Sequence, residues 1–225
     1  MLLRWLGWFG LANAVIAALI GSRYLFAFGA PVSSLAWLYL VTAYIGQFAV
    51  LGVVPLFMLT APLIMAYPRR PVIHAVSVLL AALFVTLILL DTNIFTQYKY
   101  HLSRLTVEIF DASTWAFAGI LLCVAMVFQL LLATNVWQWV SGRAPGRRAG
   151  VWLGLFLAGI WAVGQGVHIW ADATAYSPVT SFNRFLPAYY PIKAKRRLAK
   201  LGWVDPDIVE KQRLLRRAGS GMGPG

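Results

Sequence analysis

The chain should fold as an all-α integral membrane protein, a five-transmembrane-helix bundle with its N-terminus inside and its C-terminus outside, an interfacial helix and a basic tail. Composition, segment length and charge placement predict this. Of the 225 residues 60% are hydrophobic and 12% charged, and the mean hydropathy is +0.74. So little polar surface cannot cover a soluble globule of this length, so the bilayer is the main solvent. Five apolar stretches, roughly 5–28, 35–58, 72–90, 115–140 and 151–170, each reach the ~20 helical residues that cross a ~30 Å hydrocarbon core. Backbone groups in lipid must be satisfied within the segment, so all five read as helices.

The first stretch exceeds a signal-peptide apolar region and ends in GSRYLF without a cleavage pattern, so it reads as a retained helix. The second contains Pro55 and meets Pro62 near its exit, which predicts a kink or an early end. Between the third and fourth, the polar connection 91–114 carries Leu102, Leu105, Ile109 and Phe110 at helical spacing, as for a short helix lying flat at the interface. Its simplest role is a structural lid on the bundle. Cys123 is alone within the fourth stretch, which excludes an internal disulfide and argues against thiolate metal ligation.

Beyond the fifth stretch, Pro178, Pro187 and Pro191 predict extended or turning chain, then a short basic helix over 192–201 stopped by Gly202. Asp205, Pro206 and Asp207 form an N-cap, N1 and N2 series for a second helix over 208–217. The end, AGSGMGPG, should be disordered. These boundaries give a five-helix domain over 1–172, a basic linker over 173–218 and a disordered end over 219–225. A chain stopping in such a run reads as a membrane module cut from something longer.

Charge supplies the orientation. Arg4, Arg69, Arg70, Arg143, Arg147 and Arg148 fall on one side, whereas Lys99, Arg104 and the tail fall on the other. Positive charges in short loops mark the cytoplasmic side, which places the tail outside. Ten of the 19 Lys and Arg lie from Arg184 onward against three acids, giving the tail +7 of the formal +12. A basic tail outside is an exception to the rule, and an anionic lipid there supplies a reason for it.

The candidate binding residues follow from that tail. Lys193, Lys195, Arg196, Arg197 and Lys200 stand beside Tyr189, Tyr190 and Trp203. Arginine matches phosphate oxygens with a planar fork, lysine is a compact point charge, and aromatic rings settle at headgroup depth. A stop-transfer cluster would begin at the helix end, whereas these charges start about 20 residues beyond Trp170. Nucleic acid, the other usual partner of a pI near 10.4, does not fit a tail outside the membrane.

A second polar set gathers at the outer ends: Arg23, Asp91, His101, Glu108, Asp111, His168 and Asp172. Asp91 and Asp172 at helix exits can satisfy loop donors or pair with Arg23, a structural polar cluster. No catalytic motif, phosphate loop or metal-binding cluster accompanies them, so neither enzyme nor cofactor is expected. Small residues at Gly154, Ala158, Ala162, Gly159 and Gly164 suit close helix packing or dimerisation. His74 and Gln129 read as satisfied interhelical groups.

Taken in order, these segments resemble the YejM/PbgA family of Gram-negative inner-membrane proteins. The resemblance rests on Trp8–Phe9 and Asn13, IGSRYLF (20–26), DTNIFTQYKYHLS (91–103), IWADATAY (169–176) with Pro178 and Thr180, Leu186–Pro187, and YPIKAKRRLAKLGWVD (190–205). It covers about residues 5 to 205 at matching spacing. It implies five helices followed by a periplasmic sulfatase-like domain, and a segment after the fifth helix that binds the lipid A part of lipopolysaccharide. The contact stretch falls here on Tyr190, Pro191, Lys193, Lys195 and Arg196. Lys193 stands where threonine is usual, and Lys195 replaces the first arginine of a pair, keeping the charge but losing a bidentate fork.

The resemblance further implies a non-enzymatic sensor that restrains a LapB-type adaptor, which directs the FtsH protease to the lipid A deacetylase LpxC. It also brings in cardiolipin binding or transport. Five-helix anchors of periplasmic phosphoethanolamine or phosphoglycerol transferases of the alkaline phosphatase superfamily are the alternative.

Overall fold

A computed structural model of the chain describes residues 1–108, 110–143, 146–174, 176–192, 198 and 202. Five long helices dominate it: α1 (Leu2–Phe28), α2 (Ser34–Ala66), α3 (Arg70–Tyr98), α5 (Ala112–Arg143) and α6 (Arg147–Ala173). Short helices α4 (Arg104–Glu108) and α7 (Ser177–Thr180) and a 3-10 turn (Ser181–Arg184) complete the described elements. All five long helices are apolar and long enough to span a bilayer.

Local chemistry sets their ends. α1 stops at Gly29, whose φ of 92° suits glycine alone, two residues before Pro31. Ser33 Oγ caps α2 by accepting from Ala36 N at 3.2 Å. Pro71 sits in the first turn of α3, where its missing N–H is no loss. α3 ends with Lys99 in the left-handed region, its Nζ donating to Ala27 O at 2.8 Å and tying α3 to the end of α1. Asp111 precedes α5 and accepts from Thr114 N at 2.8 Å.

Of the kink and the early end that the prolines of α2 allowed, the early end does not occur. Pro55 and Pro62 lie inside a helix that runs to Ala66. Each proline frees a carbonyl one turn back, that of Leu51 for Pro55 and of Met58 for Pro62, but the helix continues past both. The short helix expected between the third and fourth spans is α4, five residues over Arg104–Glu108, and Ile109 lies outside the described residues. The expected helices over 192–201 and 208–217 and the disordered end also fall outside them, apart from Ile192, Leu198 and Gly202.

The helices pack in the order α6, α2, α1, α3, α5, so α5 and α6, neighbours in sequence, lie at opposite ends of the row. Small residues permit the central contacts. A Cβ at Gly52 would stand 2.5 Å from the Ala14 backbone, so α1 and α2 cross there at a separation only glycine allows. A Cβ at Gly46 would meet Trp161 Cα at 3.0 Å, and one at Gly164 the Ala43 nitrogen at 3.2 Å, which seats α6 on α2. Gly154 and Gly159 face open space instead, so of the small residues on α6 Gly164 serves packing and these two do not.

Two large core clusters lie toward opposite ends. Near the N-terminal face Trp5, Phe9, Leu56 and Ile73 pack together, with Trp5 Nε1 donating to Ala133 O at 3.0 Å. At the far face Tyr24, Tyr39, Phe48 and Phe95 pack with Phe185, Leu186 and Tyr189 from beyond α6. Between them Gln129 Nε2 donates to Asn13 Oδ1 at 2.6 Å, linking α5 to α1, while Gln129 Oε1 has no partner among the described residues. His74, expected to be a satisfied interhelical group, is stacked on Trp5 at 4.0 Å, and its Nε2 has no hydrogen-bond partner among the described residues.

Candidate functional site

The chain beyond α6 does not leave the bundle as a free tail. α7 and the 3-10 turn carry it over the end of α6, and residues 185–192 then run back between α2 and α6 as a strap. Its apolar side chains anchor it: Val179, Phe185 and Leu186 are buried in the far-face cluster. Burying them stabilises the docked strap by about 2 kcal/mol per large side chain before ordering costs.

Irregular backbone at this depth needs partners for its polar groups. Two buried glutamines supply them. Gln47 lies 13 residues into α2, about 20 Å along the helix, and its Nε2 donates to Pro187 O at 2.8 Å. Gln165 of α6 accepts from Ile192 N at 3.0 Å through Oε1, while its Nε2 lies 3.4 Å from Tyr189 Oη. Pro187 and Pro191 bring no N–H, which removes two donors that would otherwise need acceptors. His168 Nδ1 lies 3.3 Å from Ile192 O, and Tyr39 Oη donates to Tyr189 Oη at 3.3 Å.

Tyr189 is therefore the buried polar pin of the strap. Burial pushes its phenol above the ordinary range, and the hydrogen bonds from Tyr39 and Gln165 offset part of that rise. It stays neutral at any physiological pH. Its position depends on Ala188, whose φ of 49° is left-handed and costs a non-glycine residue about 1 kcal/mol. Tyr189 points in, 8% exposed, and Tyr190 points out at 91%.

Tyr190, Pro191 and Ile192 thus stand at the mouth of the slot, fixed to α6, immediately before the basic run. Tyr190 is exposed and Pro191 is half-buried. Lys193, Lys195, Arg196, Arg197 and Lys200 lie outside the described residues.

The second cluster forms around Asp91, near the end of α3. Its carboxylate accepts from Tyr24 Oη at 2.5 Å, His101 Nδ1 at 2.7 Å and the Leu102 amide. His101 stacks on Phe95 at 4.6 Å, and Tyr24 meets Phe95 edge-on at 5.2 Å. Of the two roles the sequence allowed Asp91, it satisfies loop donors. Arg23 is exposed beside a groove lined by Phe26, Thr96 and Lys99, and Asp172 is half-buried at the end of α6. Helix phase decides this: Tyr24 faces the core and its neighbour Arg23 does not.

The Asp91 cluster closes the connection 99–103 onto α1 and α3. Among the described residues no group of three His, Cys, Asp or Glu is placed to hold a metal ion. Glu108 pairs with Arg104 at 2.9 Å on the exposed face of α4. Sequence reasoning missed Gln47, Gln165, Tyr39 and Tyr24. The glutamines carried a signal, since an amide inside a long apolar helix needs a buried partner.

Comparison with known proteins places these features in a wider set. Residues 1–219 match a family described as a domain of unknown function, DUF3413. The chain is 30% identical over 218 residues to the inner membrane protein YejM of Salmonella typhimurium and equally to that of Salmonella typhi, covering 94% of this chain. It is 27% identical over 214 residues to an uncharacterized protein of Haemophilus influenzae. The chain spans 37% of the length of the two Salmonella proteins.

Proposed function

The chain belongs to the YejM family of inner-membrane proteins and itself matches the DUF3413 domain over residues 1–219, and from that premise we propose that it is a non-enzymatic sensor of lipopolysaccharide. It is a multi-pass inner-membrane protein with five apolar helices. The proposed site is the basic run after the strap, on the periplasmic side. Tyr190, Pro191, Lys193, Lys195, Arg196, Arg197 and Lys200 would meet the phosphates of lipid A in the outer leaflet of the inner membrane.

One observation carries this reading. The strap is bonded to Gln47 and Gln165 and ends at Ile192, so the basic run starts from a fixed point at the bundle surface. A general electrostatic anchor needs no such fixation, because screened attraction of lysines to an anionic surface is insensitive to register. A site matching the phosphates of one headgroup does need it, since bidentate contacts are lost with small displacements. The opposite side, with Arg69, Arg70 and Arg143 to Arg148, would face a cytoplasmic partner of the LapB adaptor type.

Native mass spectrometry of the gently extracted protein tests the assignment, wild type beside Lys195→Ala/Arg196→Ala. Lipopolysaccharide retained by the wild type and lost from the variant is the expected result. Cardiolipin in its place, or retention indifferent to the substitutions, would make the run a general surface anchor and remove the sensor assignment.

A further inference from the structure

The packing of α6 is uneven along its length. Its second half is seated on α2 at Gly46–Trp161 and at Gly164–Thr42. Its first half diverges, and the gap between α1, α2 and α6 is a cleft of about 390 Å³ open to the bilayer on the N-terminal side. Trp8, Phe57 and Leu157 line it with Gly150 and Gly154, at which an added Cβ would meet nothing within 4 Å. Arg4 stands at its mouth.

From these features we propose that the cleft is a binding site for one acyl chain of an anionic glycerophospholipid of the leaflet on the N-terminal side, with the lipid phosphate at Arg4.

Height selects this occupant. Along α6 the cleft runs from Gly146 to Leu157, which is about 16 Å at 1.5 Å per residue. That is close to half of a ~30 Å hydrocarbon core, the depth of one leaflet. The Trp161–Gly46 contact closes it above. A lipid tail ends there, whereas a transmembrane helix of another protein would have to continue through the closed half. The volume suits a single chain rather than a two-chain lipid body.

Charge selects the headgroup. No acidic residue occurs in residues 1–90 or 112–171, while Arg4 and the exposed Arg148, in the first turn of α6, lie at the level of the mouth. The guanidinium of Arg4 suits a phosphate diester held at the interface. The glycines matter by leaving room, since a side chain at Gly150 or Gly154 would fill the space a tail takes. This site is in the opposite leaflet from the proposed lipopolysaccharide contact and does not depend on it.

The test uses the full chain in vesicles of phosphatidylethanolamine and phosphatidylglycerol, doped with phosphatidylglycerol that carries a photoactivatable tail. Labelling mapped by mass spectrometry should concentrate on cleft residues about tenfold over the lipid-facing Val124 and Leu131 of α5, a preference of ~1.4 kcal/mol. Gly154→Leu, which the open space lets fold, should bring cleft labelling down to the α5 level. Arg4→Gln should keep tail labelling but abolish preference for phosphatidylglycerol over a phosphatidylethanolamine probe. Even labelling, or labelling unchanged in Gly154→Leu, overturns the site. So does a photo-crosslinker at Leu157 that captures a second polypeptide in cells in place of lipid.

Discussion

Replacing Gln165 by leucine isolates the anchoring of the strap. Leucine keeps the volume and loses both polar contacts, from Ile192 N at 3.0 Å and to Tyr189 Oη at 3.4 Å. A part-buried amide left without an acceptor costs ~1–3 kcal/mol. The longer contact adds about 0.5 kcal/mol, since strength falls away beyond ~3.2 Å. Taking about 2 kcal/mol for the pair, the undocked population rises about thirtyfold at 1.4 kcal/mol per factor of ten. The lost contacts hold the strap and not the helix row, so the change is local opening. Hydrogen exchange of residues 185–192 should accelerate by that factor, with the amides of α3 unchanged. Gln165→Glu keeps an acceptor for Ile192 N and accepts from the Tyr189 hydroxyl, so it should retain protection. Wild-type exchange at Ile192 in Gln165→Leu would mean that Phe185 and Leu186 hold the strap alone.

Asp91→Ala removes the acceptor of three donors and should destabilise by about 3 kcal/mol, less than three separate charged hydrogen bonds because the losses overlap; a denaturation midpoint and protease cleavage within 99–103 report it. Gly52→Ala places a methyl against the Ala14 backbone and should cost ~3 kcal/mol in the same titration, whereas Gly119→Ala, which faces open space, should be neutral or mildly stabilising. Asp111 is held at about pKa 2, below its ordinary 3.8, chiefly by Thr114 and then Ser113. A depressed carboxylate stabilises fully above 3.8, and its contribution falls away as pH drops through about 2. A carboxyl NMR titration should find that low midpoint, and Asp111→Asn should remove the pH dependence of the exchange protection at Thr114, measured relative to the intrinsic rate. In a Cys123→Ser background, an impermeant thiol reagent should label Ser103→Cys from the periplasmic side and Tyr67→Cys only after the membrane is opened.

The five spans were legible because segment length and hydropathy are properties of one segment at a time. Their order was not. That α5 and α6 take opposite ends of the row depends on where Gly52, Gly46 and Gly164 meet partners on other helices, and a glycine that packs looks the same in sequence as Gly154, which does not. The strap was read as turning chain from its prolines, but its docking rests on pairs far apart, Gln47 with Pro187 and Tyr39 with Tyr189. Each member alone resembles ordinary packing. Asp91 was visible as a carboxylate needing donors, and a formal charge drew attention to Arg23. Tyr24 and His101 won because both are already packed on Phe95, so their bonds to Asp91 cost little further ordering.

One rigid element joins the two proposed lipid contacts. The strap is bonded to α6 at Gln165 and His168, while the cleft lies at residues 146–157 of the same helix. The seat on α2, at Trp161 and Gly164, stands between them. Rotation about that seat would move Gly146, about 18 residues or ~27 Å away, roughly twice as far as Ala173, at nine residues or ~14 Å. A helix packed at one end and splayed at the other can pivot without breaking its main contact, which a uniformly packed helix cannot. A pivot available in principle is still not a switch. A ligand on the basic run shifts α6 only through unequal affinity for docked and undocked straps, and the bonds at Gln165 set how far apart those two states lie. Loss of those bonds separates the ligand from the helix, so coupling between the leaflets should vanish in Gln165→Leu even where each lipid still binds.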